Sequence, residues 1–440
     1  MRPCARLFPV AAARSARIRR FPGRSALAGE GNAGCIVSHG SRLMLLAALG
    51  AALPPGLAAQ EVRLDGFVDG RLVRTANERG WMEGGLGKLR YDGGGDIGPR
   101  LAEVSAIGSL RLTPDIGGVA HVRYEPEQRH PLDLIEAYVH YRPVSTTPFR
   151  WSIKGGAFFP PVSLENEGIG WTTIWTLTPS AINSWVGDEL RTIGGEALLE
   201  WRDAVNHFEL TGAVYVANDP AGVLLADRGW TLSDRPTGLF DRARRPDAVT
   251  PTLRRQPPVY SEQFLEIDDR VGWYFGGTWR SAEYGRLSLL YYNNQADPAA
   301  RSTQFAWETE FWSLGAETRL GDFVVIGQAM TGQTTIQPTV SSNRTRFKSA
   351  FLLLGYEFGD WRLGVRGEQF GTSTQAPATA APIDERGYAG TLAVTWRPTD
   401  WLRLTGEAIF ITSTRSQRRF YGQSPEADDT LLQLSARVFF

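Results

Sequence analysis

The most restrictive feature of this sequence is the regular alternation of its last segment, residues 429–440. Counting back from Phe440, every second residue is apolar, while Arg437, Ser435 and Gln433 occupy positions between them. Successive side chains of a β-strand point to opposite faces. The segment therefore predicts a strand with one apolar face and one mostly polar face.

The same period of two recurs along the chain from residue 62 onwards. In the first segment Val62, Leu64 and Val68 share one face, and Arg63 and Asp65 lie on the other. The many glycines (48) and aromatic residues (14 Trp, 13 Tyr and 21 Phe) also favour strands and turns. Sixteen strands are predicted, at 62–73, 101–113, 117–125, 131–143, 149–159, 189–203, 205–217, 268–281, 284–294, 304–320, 322–333, 345–359, 360–371, 386–398, 400–412 and 429–440, of which 322–333 and 345–359 alternate least regularly.

Short and long connections follow one another between these strands. Short turns on one rim and long loops on the other are typical of an up-and-down membrane barrel. If both ends of the barrel chain lie on the short-turn side, the strand number must be even, as sixteen is. The long connections are 74–100, 126–130, 160–188, 218–267, 295–303, 334–344, 372–385 and 413–428.

With this alternation and its final Phe440, the chain resembles Gram-negative outer-membrane β-barrels, and its layout is similar to that of sixteen-stranded porins. The resemblance implies an all-β fold: a transmembrane antiparallel up-and-down barrel of about 16 strands, with short periplasmic turns and long extracellular loops. Soluble sandwiches and propellers also alternate, but no repeat of fixed period is present. Aromatic residues near the turns share the apolar face, as in the girdle of a membrane barrel: Tyr141, Trp151, Trp201, Trp279, Trp361, Trp396 and Phe440.

Residues 1–59 are expected to lie outside the barrel, which would span residues 60–440. The apolar run 43–53 follows Arg42 and precedes small residues, which predicts a signal peptide cleaved after Ala58 or Ala59. The Arg-rich residues 1–36 do not fit in front of a signal, so we interpret them as an extension from a start site assigned too early.

Composition excludes several classes of function. Both cysteines, Cys4 and Cys35, precede the predicted cleavage site, which excludes disulfides in the mature chain. Beyond residue 59 the chain has 39 basic and 46 acidic residues, a net charge of −7, and nothing indicates a nucleic-acid partner. His121 and His140 are expected to face the lumen without metal-ligand spacing, and no catalytic cluster emerges. We therefore predict no enzyme activity, metal or cofactor.

Charged residues on the polar face indicate a water-filled lumen, since they are costly toward lipid. Arginine recurs on this face near the short turns. One interpretation is a basic ring that draws anions, and the other is a set of solvated arginines paired with neighbouring acids. The twelve predicted lumen-lining arginines are Arg63, Arg111, Arg142, Arg150, Arg202, Arg280, Arg286, Arg319, Arg362, Arg397, Arg403 and Arg437.

Two of the long loops differ in composition. Loop 160–188 is too apolar and aromatic to extend into water, and the porin resemblance implies that it folds into the lumen and narrows it; packing on the outer rim or at a subunit contact is the alternative. A short helix at 180–186 capped by Ser180 is predicted there. Loop 218–267, rich in Pro and Arg, is interpreted as mobile and solvated, or else as covering the mouth or binding lipopolysaccharide phosphates. The resemblance gives six constriction candidates: Glu165, Glu167, Trp171, Trp175, Asn183 and Trp185.

The leading functional hypothesis is a passive outer-membrane porin for small hydrophilic solutes, including anions. Phosphate-selective porins are the most similar group, although lysine, on which those channels rely, occurs only at 88, 154 and 348. An outer-membrane enzyme and a specific-substrate transporter are the alternatives. The resemblance also implies a homotrimer, contact with outer-membrane lipid and lipopolysaccharide, and recognition of Phe440 by the barrel-assembly machinery. On that view, deleting Phe440 should impair assembly more than conductance.

Overall fold

The sixteen predicted strands form one closed antiparallel barrel. Among the described residues, no helix has the length and apolar character needed to cross a membrane. The predicted signal peptide and amino-terminal extension lie outside the described part of the chain. The structure, a computed structural model, describes residues 61–75, 78–91, 95–247, 259–375 and 383–440.

Each predicted strand is found within a few residues of its expected bounds, including the two with the least regular alternation. A further pair of short strands, β8 and β9, forms a separate two-stranded sheet within a long loop. The strands are β1 Glu61–Thr75, β2 Ile97–Arg111, β3 Ile116–Tyr124, β4 Leu132–Tyr141, β5 Phe149–Phe158, β6 Thr192–Arg202, β7 Asn206–Val216, β8 Ala243–Arg244, β9 Tyr260–Ser261, β10 Gly272–Ser281, β11 Gly285–Asn293, β12 Glu308–Leu320, β13 Phe323–Ile336, β14 Asn343–Phe358, β15 Trp361–Gln375, β16 Glu385–Thr399, β17 Leu402–Arg415 and β18 Glu426–Phe439.

The barrel closes between its first and last strands. β1 pairs antiparallel with β18, from Phe67 opposite Phe439 to Thr75 opposite Leu431. Gly66 and Phe440 exchange two backbone hydrogen bonds of 3.0 Å each. Closure gives each of the sixteen barrel strands two neighbours, as required where lipid offers no partners to backbone groups. The segment predicted as the final strand therefore completes the wall of the barrel.

The outer surface of the barrel is apolar. Alternate side chains of each barrel strand point outward, and these are mostly the apolar ones. At the short-turn end it carries aromatic rings, several of which contact one another across strands. Trp361 and Trp396 are stacked with ring centres 5.7 Å apart, and Tyr141 meets Trp151 edge-on at 5.5 Å. These rings occupy the predicted girdle positions.

The long loops carry the helical elements of the molecule. Helix α1, Ala181–Glu189, lies in the third loop (residues 159–191), and helix α2, Val223–Arg228, lies in the fourth (residues 217–271). 3₁₀ turns occur at Trp81–Glu83 in the first loop (residues 76–96) and at Ser416–Tyr421. All of α1 is buried, and its Ile182 and Trp185 belong to an apolar cluster with lumen-facing strand residues such as Phe347. The interior of the barrel is thus occupied by packed loops over much of its length.

Candidate functional site in the barrel lumen

The amino end of helix α1 is fixed to the lumen wall. Ser180 caps the helix, its side chain accepting a hydrogen bond from the Asn183 N–H at 3.4 Å, as predicted. The Ala181 N–H donates to the Glu368 carboxylate of β15 at 2.7 Å. An acid suits this position because the first turn of a helix has unpaired N–H groups and a partial positive charge.

Arg366 of β15 joins the third loop to the same wall. Its buried guanidinium contacts Glu368 at 2.9 Å and Glu165 of the loop at 3.2 Å. It also donates to the carbonyl oxygen of Thr178 at 2.9 Å. The enclosed cation therefore has two carboxylates and a carbonyl around it, which a buried charge requires.

Glycines on the lumen face make room for Trp175 of the third loop. A Cβ at Gly355 would lie 2.6 Å from the Trp175 indole, and one at Gly364 would lie 2.3 Å from its carbonyl oxygen. Any larger residue at these positions of β14 and β15 would push the loop away from the wall. The sequence thus provides a recess for this tryptophan.

The six constriction candidates occupy different surroundings. Glu165, Trp175, Asn183 and Trp185 are buried, so their side chains face packed neighbours rather than water. Trp171 is partly buried and stacks on Phe159, with ring centres 3.9 Å apart. Only Glu167 among the six has a largely open side chain, 46% exposed, and it contacts Arg286 at the short-turn end. The third loop therefore extends from α1 down to the arginine series.

Most of residues 218–245 in the fourth loop are buried, so the interpretation of the loop as solvated is wrong for that part. Asp234 contacts Arg71 of β1 at 2.5 Å and Arg90 of the first loop at 3.0 Å. Arg235 contacts Glu125 at 3.0 Å and Asp241 at 2.9 Å. The loop's charged residues thus pair with the wall, with other loops and with one another, which composition alone does not show.

The first loop also folds inward, through Lys88. Its buried ammonium donates to the Arg228 carbonyl oxygen at 3.0 Å and forms an ion pair with Glu385 of β16. Burial lowers the pKa of Lys88 to about 8, against the opposing effect of Glu385. Loops one, three and four are therefore joined to the wall and to one another.

Eleven of the twelve predicted arginines lie in strands of the barrel, and Arg142 directly follows the last residue of β4. Nine of the twelve contact carboxylates, which matches the paired interpretation for those residues. The remaining three, Arg150, Arg319 and Arg403, have no carboxylate within salt-bridge distance among the described residues. The nine contacts are Arg63–Asp65, Arg111–Glu61, Arg142–Glu200, Arg202–Glu200, Arg280–Glu209, Arg286–Glu167, Arg362–Glu357, Arg397–Glu357 and Arg437–Asp69.

Two acidic groups have spacing compatible with a metal ion, but their surroundings do not suit one. Glu200, His207 and Glu209 lie together at the short-turn end, where Arg142, Arg202 and Arg280 also contact the two carboxylates. Asp219, Glu266 and Asp268 form the second group, in the fourth loop. Carboxylate oxygens of all three residues accept hydrogen bonds from backbone N–H groups; Asp219, for example, accepts one from Ile267 at 2.6 Å. Ion pairs with arginine thus explain the first group of acids, and hydrogen bonds from backbone N–H groups explain the second.

A Ser/His pair that the sequence did not reveal lies on β2 and β3. The hydroxyl of Ser105 and Nε2 of His121 are 2.6 Å apart, and both side chains are buried. Gly170 of the third loop covers the pair, since a Cβ there would lie 2.8 Å from the hydroxyl. The other ring nitrogen, Nδ1, has no hydrogen-bond partner among the described residues. Within the described part of the chain, the pair has neither the orienting acid nor the access that a serine hydrolase needs.

Comparison with known proteins places this geometry in context. The profile of the family described as "Putative beta-barrel porin-2, OmpL-like" matches residues 172–440, more than half of the chain. No curated protein sequence matches.

Several solved outer-membrane barrels are similar in structure. A loop-deletion variant of OmpT, an outer membrane protein of Vibrio cholerae, has a TM-score of 0.49 at 8% identity, covering 87% of this chain and 100% of its own. OprB of Pseudomonas putida has a TM-score of 0.49 at 9% identity, and the match covers 91% of this chain and 96% of OprB. An anion-selective porin from Comamonas acidovorans has a TM-score of 0.47 at 12% identity, and the match covers 86% of this chain and 99% of that porin.

Proposed function

We propose, since this chain belongs to the BBP2 (OmpL-like) family of beta-barrel porins, that it forms a channel for passive diffusion of small hydrophilic solutes. The protein resides in the outer membrane of a Gram-negative bacterium, as its family does. The observation that carries the proposal is a closed sixteen-stranded wall that is apolar outside and charged inside. Water at the rim and counter-charges in the packed interior both make such charges tolerable, whereas lipid does not.

The third loop is proposed to set the width of the channel. Its attachment to Glu368, Arg366 and Glu407 of the wall supports this role, because a fixed loop narrows a lumen permanently. The buried members of the six candidates, such as Asn183 and Trp185, would hold the loop in place. Glu167, which is largely exposed, would border the solute path.

We further propose that the short-turn rim favours anions. Eight arginines there are balanced at least in part by acids, whereas Arg150, Arg319 and Arg403 have no carboxylate partner in the described chain. Unbalanced fixed charge in a narrow lumen raises the local concentration of the opposite ion. The preference should therefore come from these few residues rather than from a uniform ring.

Reconstitution in a planar bilayer tests both parts. We expect stepwise conductance in KCl. With a salt gradient across the bilayer, we expect a reversal potential whose sign shows that chloride permeates more readily than potassium. Absence of conductance from correctly folded protein would refute the channel. A reversal potential of the cation-selective sign would refute the anion preference alone.

An enzymatic function is not proposed, because Ser105 and His121 are buried beneath the third loop. Ester and peptide hydrolysis assays on refolded protein should give no turnover above a Ser105→Ala variant. Transport of one specific solute in place of general diffusion would appear as saturation of flux by that solute at concentrations where others do not saturate.

The proposed assembly is a homotrimer in contact with outer-membrane lipid and lipopolysaccharide. On the outer face of β5 to β7, Gly155, Gly195, Ala197 and Gly212 occupy alternate positions on neighbouring strands, which would allow a second copy to approach closely. Native mass spectrometry of detergent-solubilised protein tests the stoichiometry. In the fourth loop, Arg242 and Arg244 lie near Tyr260 and are candidates for lipopolysaccharide phosphates.

A further inference from the structure

Four neighbouring strands each place an arginine on the lumen face near the short-turn end. The residues are Arg362 of β15, Arg397 of β16, Arg403 of β17 and Arg437 of β18. Arg403 lies directly opposite Arg437 in the strand register, and Arg362 lies opposite Thr395, two residues before Arg397. Like charges on adjacent strands repel one another unless an anion lies between them.

The carboxylates of the protein only partly balance this cluster. Glu357 of β14 is shared by Arg362 at 3.2 Å and Arg397 at 2.5 Å. Arg437 is bound to Asp69 at 2.8 Å and so belongs to the packed interior. Arg403 has no carboxylate within reach in the described chain; its guanidinium lies 4.7 Å from the centre of the Phe439 ring. Arg362, Arg397 and Arg403 with Glu357 therefore leave two positive charges.

Hydrogen-bond donors of the same residues point to an acceptor. The Nε–H groups of Arg362 and Arg403 are buried and have no acceptor among the described residues. A buried donor without an acceptor is unfavourable, so these positions favour a ligand rich in oxygen. The Trp175 ring bounds the site on the side of the third loop, 5.4 Å from the Arg362 guanidinium carbon.

We propose that Arg362, Arg397 and Arg403 form a binding site for a small oxyanion with two negative charges, such as sulfate or a short dicarboxylate. Two charges match the two that Glu357 leaves unbalanced. Planar guanidinium groups pair with two oxygens at once, which a monatomic ion such as chloride cannot offer. The site rests on the proposed function, because a passing solute would meet it between the third loop and the short-turn rim.

The test is equilibrium binding of sulfate to the full-length protein in detergent, by calorimetry, with malonate, acetate and chloride as further probes. We expect saturable binding of sulfate or malonate, and binding of acetate and chloride that is weaker by at least tenfold. Arg403→Gln, which removes an unpaired charge with little change of size, should weaken dianion binding by about tenfold or more, the scale of a charge-assisted hydrogen bond.

Arg150→Gln is the matched control, since Arg150 on β5 also faces the lumen and has no carboxylate partner among the described residues. It removes the same charge, so it should leave sulfate affinity within about twofold if the site is specific. Equal weakening by both variants, or equal binding of chloride and sulfate, would overturn the site. Non-specific electrostatic attraction of anions to the lumen would then explain the binding. If Arg403→Gln fails to fold, Arg397→Gln removes one charge of the same cluster and must show the same loss.

Conductance in KCl separates this inference from the channel itself. A conducting protein without saturable dianion binding refutes the site and leaves the channel standing. Dianion binding that depends on Arg403 in a protein without conductance supports the site and refutes the channel.

Discussion

Strand β1 contains the same ion pair twice, in two different surroundings. Near the short-turn end Arg63 contacts Asp65 at 2.6 Å, and the arginine side chain is 67% exposed. Further along, Arg71 contacts Asp69 at 2.7 Å, and neither side chain is exposed. Spacing in sequence and distance in space are nearly equal, so water is the main difference between the pairs.

The difference separates two zones of the lumen. An exposed ion pair contributes about 0–1 kcal/mol, because water solvates each charge nearly as well as its partner does. Removing one partner of a buried pair costs about 3–5 kcal/mol, because the remaining charge is left without solvent. Arginines of the rim are therefore accessible to water and ions, whereas buried arginines such as Arg366 hold loops to the wall.

The largest effect is expected from Asp69→Asn. Asp69 contacts both Arg71 and Arg437 and accepts a hydrogen bond from Ser435 at 2.6 Å, so the substitution leaves two buried cations short of an anion. We expect the free energy of unfolding to fall by about 3–5 kcal/mol. Urea unfolding of the refolded protein in lipid vesicles, followed by tryptophan fluorescence, measures it.

Asp65→Asn is the control, on the same strand and with the same spacing to its arginine. It should change the free energy of unfolding by about 1 kcal/mol or less. Equal effects of the two substitutions would show that burial does not decide the strength of these pairs.

A smaller, pH-dependent effect is expected from Glu189, at the end of helix α1 in the packed zone. Burial raises the pKa of Glu189 to about 7 from its ordinary 4.5, although its carboxylate accepts the Leu224 N–H at 2.9 Å; Asp188 also raises it and Arg228 lowers it. The folded protein thus favours the neutral acid. Its stabilising contribution is complete below about pH 4.5 and is lost as the pH rises through about 7.

The third and fourth loops should therefore be held less firmly at pH 8 than at pH 5. In Glu189→Gln the neutral side chain persists at every pH, and protection of loop amides from hydrogen exchange should depend less on pH. Glu167→Gln, in the open part of the same loop, should keep the wild-type dependence. The burial argument fails if wild-type protection is the same at both pH values.

The contrast also explains what could be predicted from sequence. Lipid on one side and polar surroundings on the other impose a period of two, so the strand positions follow from alternation, and the closed barrel follows from the resemblance to porins. Alternation cannot separate Asp65 from Asp69, since both lie on the same face. Their difference arises from Asp234 of the fourth loop, 2.5 Å from Arg71 but remote in sequence.

A signal for the packed zone was nevertheless present. Gly355 and Gly364 occupy lumen-facing positions on neighbouring strands, where a wet wall would accept polar side chains. Glycines at such positions indicate that another part of the chain approaches closely, and Trp175 of the unusually aromatic third loop occupies that space. The fourth loop, rich in Pro and Arg, was interpreted as solvated, and only the fold shows the partners of its charged residues.

The smallest effect on stability, but a measurable one on selectivity, is expected from Arg142→Gln at the rim. Arg142 is 48% exposed and lies 3.4 Å from Glu200, which also contacts Arg202 at 2.7 Å. Because Arg202 still neutralises Glu200, the free energy of unfolding should change by about 1 kcal/mol or less. One positive charge is lost from the lumen, so the reversal potential should shift toward cations. The shift should shrink between 0.1 M and 1 M salt, since the screening length falls from about 10 Å to about 3 Å. A shift that does not depend on salt would mean that Arg142 acts through the structure of the rim and not through its charge.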